Sequence, residues 1–305
     1  MGSVHLEKKE TEIGFERKTK LWSSFQNSHS EALDRHGYEN FRRVIGWNYF
    51  THSPNILSAQ FRFLFRKIPM AKIARFYIKA HTSKEQYLIS KERVRQYTFL
   101  ALCECEYMDR TYGSIWRSVK PSMVGNPPEV ESGGKFIDLD LMNSFLEYEK
   151  IKLVNKLKSV VEIGGGYGRT AYVLLKKFPH LKYTFIDVEP ALSIARYYIS
   201  KNFGAEVRSG QIRFIRPSQI SSIPENSVDL LINISSFHEM HFDTVQEYLK
   251  QAERIAAYVY IKEYKKSVDS DIQMSEKDYH RKWKTIYSGT CEVNTQFFEA
   301  LYKTK

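Results

Sequence analysis

Val160-Val161-Glu162-Ile163-Gly164-Gly165-Gly166-Tyr167-Gly168-Arg169 is the stretch whose reading decides the fold. Ser159–Ile163 has the apolar character of a buried strand, and residues 170–178 have the period of a helix. Between them stand four glycines in five positions. Glycine lets the backbone turn sharply and approach a ligand with no Cβ in the way. The helix that follows begins with unpaired N–H groups, which then face that ligand.

A glycine-rich turn gains meaning from its context. A second strand, Lys182–Ile186, follows, and Asp187 stands at its end, 21 residues beyond Gly166. An acid at about that spacing reaches a ribose diol in nucleotide-type folds. The turn departs from the dinucleotide pattern G-x-G-x-x-G, because Arg169 occupies the position of the third glycine. Glu162, two residues before the first glycine, would repel a pyrophosphate and attract an ammonium. Both features favour S-adenosylmethionine over NAD.

The alternation continues outward from there. Residues 191–203 read as a helix, 211–215 as a strand and Val228–Ile234 as a strongly apolar strand. Residues 244–255 read as a helix, 257–261 as a strand, and 284–288 with 297–302 as a terminal antiparallel pair. This order predicts an α/β fold, a Rossmann-like parallel sheet covered by helices on both faces with an antiparallel end. Upstream, residues 120–135 are rich in Pro and Gly and read as a loop, and 139–157 as a helix. The predicted division is a helical region over 1–119, a lid or dimer contact on the acceptor side, and a cofactor-binding domain over 120–305. Residues 1–30 read as weakly structured. Pro69 suits the start of a helix through Ala80, and Ser83 suits the cap of a helix from Lys84 to Asp109.

The turn, Phe185-Ile186-Asp187-Val188-Glu189-Pro190-Ala191-Leu192 and Asn233-Ile234-Ser235-Ser236-Phe237-His238-Glu239-Met240 together resemble the sugar O-methyltransferase family. These are bacterial class I methyltransferases found with surface-polysaccharide genes. Gly125-Asn126-Pro127 and Asp140 to Glu147 resemble it too, so the likeness spans roughly residues 120–264. It implies methyl transfer from S-adenosylmethionine to a sugar hydroxyl, the sugar being free, nucleotide-linked or on a glycolipid.

In an open parallel sheet, ligands bind beyond the carboxyl ends of the strands. The segment after Ile234 therefore projects toward the donor. Alkylation of a hydroxyl needs a base to take its proton. His238 has a suitable ordinary pKa, and the resemblance favours Glu239; either is the expected catalytic group. The expected donor contacts are Glu162, Gly164, Gly165, Gly166, Gly168, Arg169, Asp187, Val188, Asn233 and Ser235, with Gln219 toward the adenine. Asn126, Glu147, Ser236 and His241 are expected on the acceptor side. The spacing of His238, Glu239, His241 and Asp243 matches no metal-ligand template, so no metal is assigned.

The 305 residues carry a formal charge of +11, which favours anionic partners. Residues 51–100 hold ten Lys or Arg against Glu85 and Glu92. Phe61, Phe63, Phe65, Phe76 and Tyr77 interleave with them, as on a solvated lid, a dimer surface or a face for anionic membrane. Nucleic acid is the less favoured partner. An Asn/Asp-Pro-Pro-aromatic turn would mark base methylation, and residues 233–236 read Asn-Ile-Ser-Ser. A non-catalytic binding protein on the same fold is the other alternative. The polar start and three cysteines in no metal-like spacing lead to a cytoplasmic expectation, peripheral to the membrane at most.

Overall fold

The computed structural model describes residues 20–45, 54–266, 276–279 and 282–305. Five parallel strands form the centre: β3 (Ser159–Ile163), β4 (Lys182–Ile186), β5 (Ile212–Ile215), β6 (Val228–Ile234) and β7 (Ala256–Tyr264). With β8 (Lys284–Thr290) and β9 (Phe297–Lys303) they make a sheet in the order β5-β4-β3-β6-β7-β9-β8. β9 is antiparallel to both β7 and β8. The order reverses between β3 and β6, the switch point beyond whose strand carboxyl ends open α/β sheets bind their ligands.

Successive strand residues point to opposite faces, so each strand supplies two cores. Val160, Leu230, Ile232 and Tyr260 pack on one face with α7 (Arg169–Lys177) and α8 (Ala191–Asn202). Val161, Ile163, Leu231, Val259 and Ile261 pack on the other with α10 (Phe242–Ile255). A five-residue helix, α9 (Gly204–Arg208), leads into β5. This is the expected Rossmann-like α/β architecture with a helical N-terminal region.

That region consists of α1 (Lys20–His36), α2 (Phe41–Val44), α3 (Pro54–Lys67), α4 (Met70–His81) and α5 (Lys91–Tyr112). The hairpin β1 (Val130–Ser132) and β2 (Lys135–Ile137) follows, then α6 (Leu139–Ile151). Gly133 and Gly134 both have positive φ, as a tight two-residue hairpin turn requires. Leu64, Leu100, Met108 and Trp116 share a core with Leu139, Met142, Phe145, Val293 and Phe297. Apolar packing thus crosses the loop at residues 119–129.

Three expectations need correction. Residues 20–30 lie in a helix, while 1–19 fall outside the described residues. α5 starts at Lys91 and is capped by Ser90, whose Oγ accepts the N–H of Arg93. Residues 83–90 instead form a turn tied to the β1 approach. There Gln86 and the Glu129 backbone exchange hydrogen bonds of 2.8 and 2.9 Å, a pairing 43 residues apart. The helix expected to reach residue 157 ends at Ile151, and Lys156 adopts φ +57° beyond it.

Candidate functional site

The glycine turn is locked by its neighbours. Gly164 has φ +68°, and the Ser236 Oγ lies 2.1 Å from where its Cβ would stand. Gly165 sits over Glu162, whose Oε2 lies 2.8 Å from the position of a Cβ there. Gly166 N–H donates to Asp187 Oδ2 at 3.0 Å, and the N–H of Val188 donates to Oδ1 at 2.8 Å. Each carboxylate oxygen keeps acceptor capacity. Burial pushes Asp187 up to about 7, the two N–H donors oppose this, and Glu239 and Glu189 add to it. Val188 is half-buried beside it.

Glu162 is buried at 2% exposure and accepts the Tyr183 hydroxyl at 2.8 Å. Burial raises its carboxyl to about 8, and that hydrogen bond works the other way. Near neutral pH it is therefore largely the uncharged acid, buried beneath the glycine turn.

The end of β6 forms the opposite wall. Asn233 is fully buried; its Nδ2 donates to the Ile163 carbonyl at 3.0 Å and to Ser236 Oγ at 2.6 Å. Its Oδ1 is buried with no partner among the described residues. Ser235 adopts φ +55°, and its N–H donates to the Lys262 carbonyl at 2.8 Å, joining this loop to β7.

Glu263, at the end of β7, organises the segment after it. Its Oε1 accepts the N–H groups of Ser236 and Phe237 at 2.7 and 2.8 Å. Its Oε2 lies 2.8 Å from His238 Nδ1, with the carboxylate fully buried. This pairing places the proton on Nδ1 and leaves the Nε2 lone pair free. Burial alone would lower the imidazole pKa. Glu263, with a smaller contribution from Glu239, outweighs burial and holds it above its ordinary value. Glu239 Oε1 stands 3.6 Å from Nε2. His238 also meets the Tyr264 ring edge-on at 4.9 Å. Sequence reading missed Glu263; its signal is the pair Lys262-Glu263 interrupting an apolar strand at its carboxyl end.

Other expected site residues serve different purposes. Glu147 has no exposed side-chain surface. It binds Arg169 through two bonds of 2.7 and 2.8 Å, Lys262 at 2.9 Å and the Thr170 hydroxyl at 2.8 Å. Its expected acceptor contact is thus replaced by a structural ion cluster. Arg169 is committed to Glu147 and Ser144. Ser236 is buried and fastens β6 to the glycine turn, away from any acceptor surface. Asn126 hydrogen-bonds Asn40, and its carbonyl receives Arg43, so it anchors α2. Gln219 is exposed and caps a short 3-10 helix through the Arg216 N–H, far from the expected adenine contact in role. His241 is the N-cap residue of α10, and its ring makes no capping bond.

The helical region reaches the turn as well. Arg42 of α2 binds Asp138 at 2.8 and 2.9 Å and Asp140 at 3.1 Å, and lies 5.3 Å from the centre of the Tyr167 ring. Tyr167, inside the glycine turn, hydrogen-bonds Asp140.

Asp187 thus stands within electrostatic reach of Glu239, with Glu162 buried beneath the turn and Glu263 buried behind His238. The orphaned Asn233 Oδ1 and the spare lone pairs of Asp187 fit a donor bearing an ammonium and a ribose diol. Among the described residues, no group of three or more His, Cys, Asp or Glu is arranged to hold a metal ion.

Residues 161–257 match a family model described as a methyltransferase domain. The chain carries an S-adenosylmethionine-dependent methyltransferase domain. A curated relative, ribosomal RNA large subunit methyltransferase G of Pseudoalteromonas translucida, is 23% identical over 161 residues, covering 50% of this chain and 38% of that protein. The chain thus spans well under half the length of that relative. A solved S-adenosylmethionine-dependent methyltransferase from Aquifex aeolicus is similar over 55% of this chain and 94% of its own, at 16% identity and TM-score 0.40. Geranyl diphosphate C-methyltransferase from Streptomyces coelicolor is similar over 54% of this chain and 79% of its own, at 9% identity and TM-score 0.43. Among the described residues, no helix is long and apolar enough to cross a membrane.

Proposed function

We propose that the methyltransferase domain acts on a sugar hydroxyl, with His238 as general base. The observation that carries this reading is the His238–Glu263 contact of 2.8 Å beside the glycine turn. A hydroxyl is a weak nucleophile until its proton is removed, and an amine acceptor would need no such base. The donor supplies an electrophilic methyl on a sulfonium. As the acceptor oxygen forms its bond to that methyl carbon, the carbon–sulfur bond breaks and a neutral thioether leaves. Nε2 of His238 takes the hydroxyl proton and passes it to solvent afterwards. Glu263 holds the ring and stabilises the imidazolium without itself being protonated. Asp187 accepts from the ribose diol, and Asn233 Oδ1 accepts from the donor's ammonium. Glu239 sits where it can orient the acceptor hydroxyl toward Nε2.

A second reading follows from the curated relative and the net charge: the hydroxyl or base acted on belongs to RNA. The two separate in one assay. Methyl-labelled donor is incubated with nucleotide-linked sugars, lipid-linked oligosaccharides and ribosomal RNA. Label in an ether of the nucleotide-linked or lipid-linked sugars, lost in His238→Gln, supports the proposal. Label confined to RNA, on a base or a ribose hydroxyl, would overturn it.

A further inference from the structure

The helical region carries an apolar surface that the described chain leaves open. On α3 and α4, Phe65 is 44% exposed, Met70 70%, Tyr77 53% and Ile78 64%. They belong together: Phe65 and Tyr77 lie 6.1 and 6.0 Å from the Phe99 ring of α5, and Phe61 lies 5.3 Å from it. On α4, Ile73 and Ala80 face the core. At 3.6 residues per turn, Met70, Ala74, Tyr77 and Ile78 form one exposed strip that runs from the edge of this core face outward.

The charge that α3 and α4 themselves carry has one sign. Residues 54–81 contain six Lys or Arg and no Asp or Glu. Arg62 and Arg66 are exposed on either side of Phe65, and Arg75 is exposed on α4 beside Ile78. None of these three arginines forms an ion pair among the described residues. Lys72 and Lys79, by contrast, are engaged by Glu106 and the Glu131 carbonyl.

The occupant must then be anionic and must accept aliphatic side chains. A second copy docked through the same face would set this basic rim against itself. RNA supplies the charge, but Met70 and Ile78 have no ring face for a base to stack on. An anionic lipid interface meets both demands, with phosphates at the arginines and an acyl boundary for the apolar tips. We propose that this face of α3 and α4 docks the protein on an anionic membrane surface, with Phe65, Met70, Tyr77 and Ile78 entering the headgroup–acyl boundary. The inference stands apart from the identity of the methyl acceptor.

The test is co-sedimentation of the full chain with vesicles of phosphatidylcholine, with and without about one-third phosphatidylglycerol. Binding is expected to the anionic vesicles and not to the neutral ones. Each basic residue near such a surface is worth about fivefold in affinity. The triple variant Arg62→Gln, Arg66→Gln, Arg75→Gln should therefore bind about a hundredfold more weakly. Met70→Ser with Ile78→Ser should also weaken binding, at unchanged circular dichroism and melting temperature. In Ile78→Trp, the added fluorescence should shift to the blue on anionic vesicles, which adsorption by charge alone does not produce. Three results overturn the proposal: no binding to either vesicle, binding of single-stranded RNA in place of vesicles with loss in the same variants, or self-association that the same variants abolish.

Discussion

Replacing Glu263 with Gln keeps its volume and removes its charge. The amide oxygen can still accept from Ser236 and Phe237, as Oε1 does at 2.7 and 2.8 Å. The amide nitrogen then faces His238 Nδ1 where Oε2 stood at 2.8 Å. Two donors cannot face each other, so Nδ1 must become the acceptor and the ring proton moves to Nε2. The charge contribution is large. At a separation of about 4 Å and an effective dielectric near 20, an ion pair is worth about 4 kcal/mol, or about three pKa units. Burial opposes this in the native site, and the net result is an imidazole held above its ordinary value. With the carboxylate gone, burial is opposed only by the smaller contribution of Glu239, and His238 should titrate below about 6.5. Nitrogen-15 correlation spectra of the histidine rings read both tautomer and titration without an acceptor, and His238→Gln assigns the resonance. The wild type should show the Nδ1–H form titrating above about 6.5, and Glu263→Gln the Nε2–H form titrating below it. Stability carries the same sign. A raised imidazole pKa stabilises the fold below about 6.5, and that contribution disappears as pH rises through the folded value. Glu263→Gln should therefore destabilise more at about pH 6 than at about pH 9. Methyl transfer should fall by about 10²- to 10⁴-fold, the usual worth of a general base. An unchanged tautomer and titration in the variant would refute the reasoning.

Two further substitutions probe the frame of the site. Gly164→Ala combines a left-handed backbone at +68° with a Cβ 2.1 Å from Ser236 Oγ. It should cost about 2–5 kcal/mol in urea unfolding, and adding Ser236→Gly should recover only the steric part. Glu147→Gln leaves Arg169 and Lys262 short of their common carboxylate and should cost about 3–5 kcal/mol near neutral pH. Burial raises the Glu147 carboxyl, but Arg169 and Lys262 outweigh it and bring it to about 2. Its stabilisation is present above the ordinary glutamate value and is lost as pH falls toward about 2, so the difference between wild type and variant should shrink across that range in acid unfolding.

The parallel sheet was legible because both faces of β3, β4 and β6 are buried, which makes each strand a short apolar run between turn signals. The glycine turn and Asp187 were legible because spacing along the chain fixes them, and the structure joins Gly166 to Asp187 directly. Two residues expected on the acceptor side act over long separations instead: Glu147 meets Lys262 across 115 residues, and Asn126 meets Asn40 across 86. A carboxylate on a helix face looks the same whether it meets an acceptor or a buried cation. Ser83 and Ser90 are equal as local caps, and only the docking of Gln86 on Glu129 chooses between them. Glu263 escaped notice for the same reason: its partners, His238 and the N–H groups of Ser236 and Phe237, lie at the end of a neighbouring strand.

The measurement that tests the central claim most directly is calorimetric binding of S-adenosylhomocysteine to the wild type and to Asp187→Ala. The account predicts micromolar affinity for the wild type. It predicts a loss of about 10- to 100-fold in the variant, the worth of hydrogen bonds to a charged group. Affinity of the wild type should also rise as pH passes through about 7, where Asp187 becomes the carboxylate that accepts from the ribose. Absence of binding to the wild type, or binding of NAD in its place, would contradict the account.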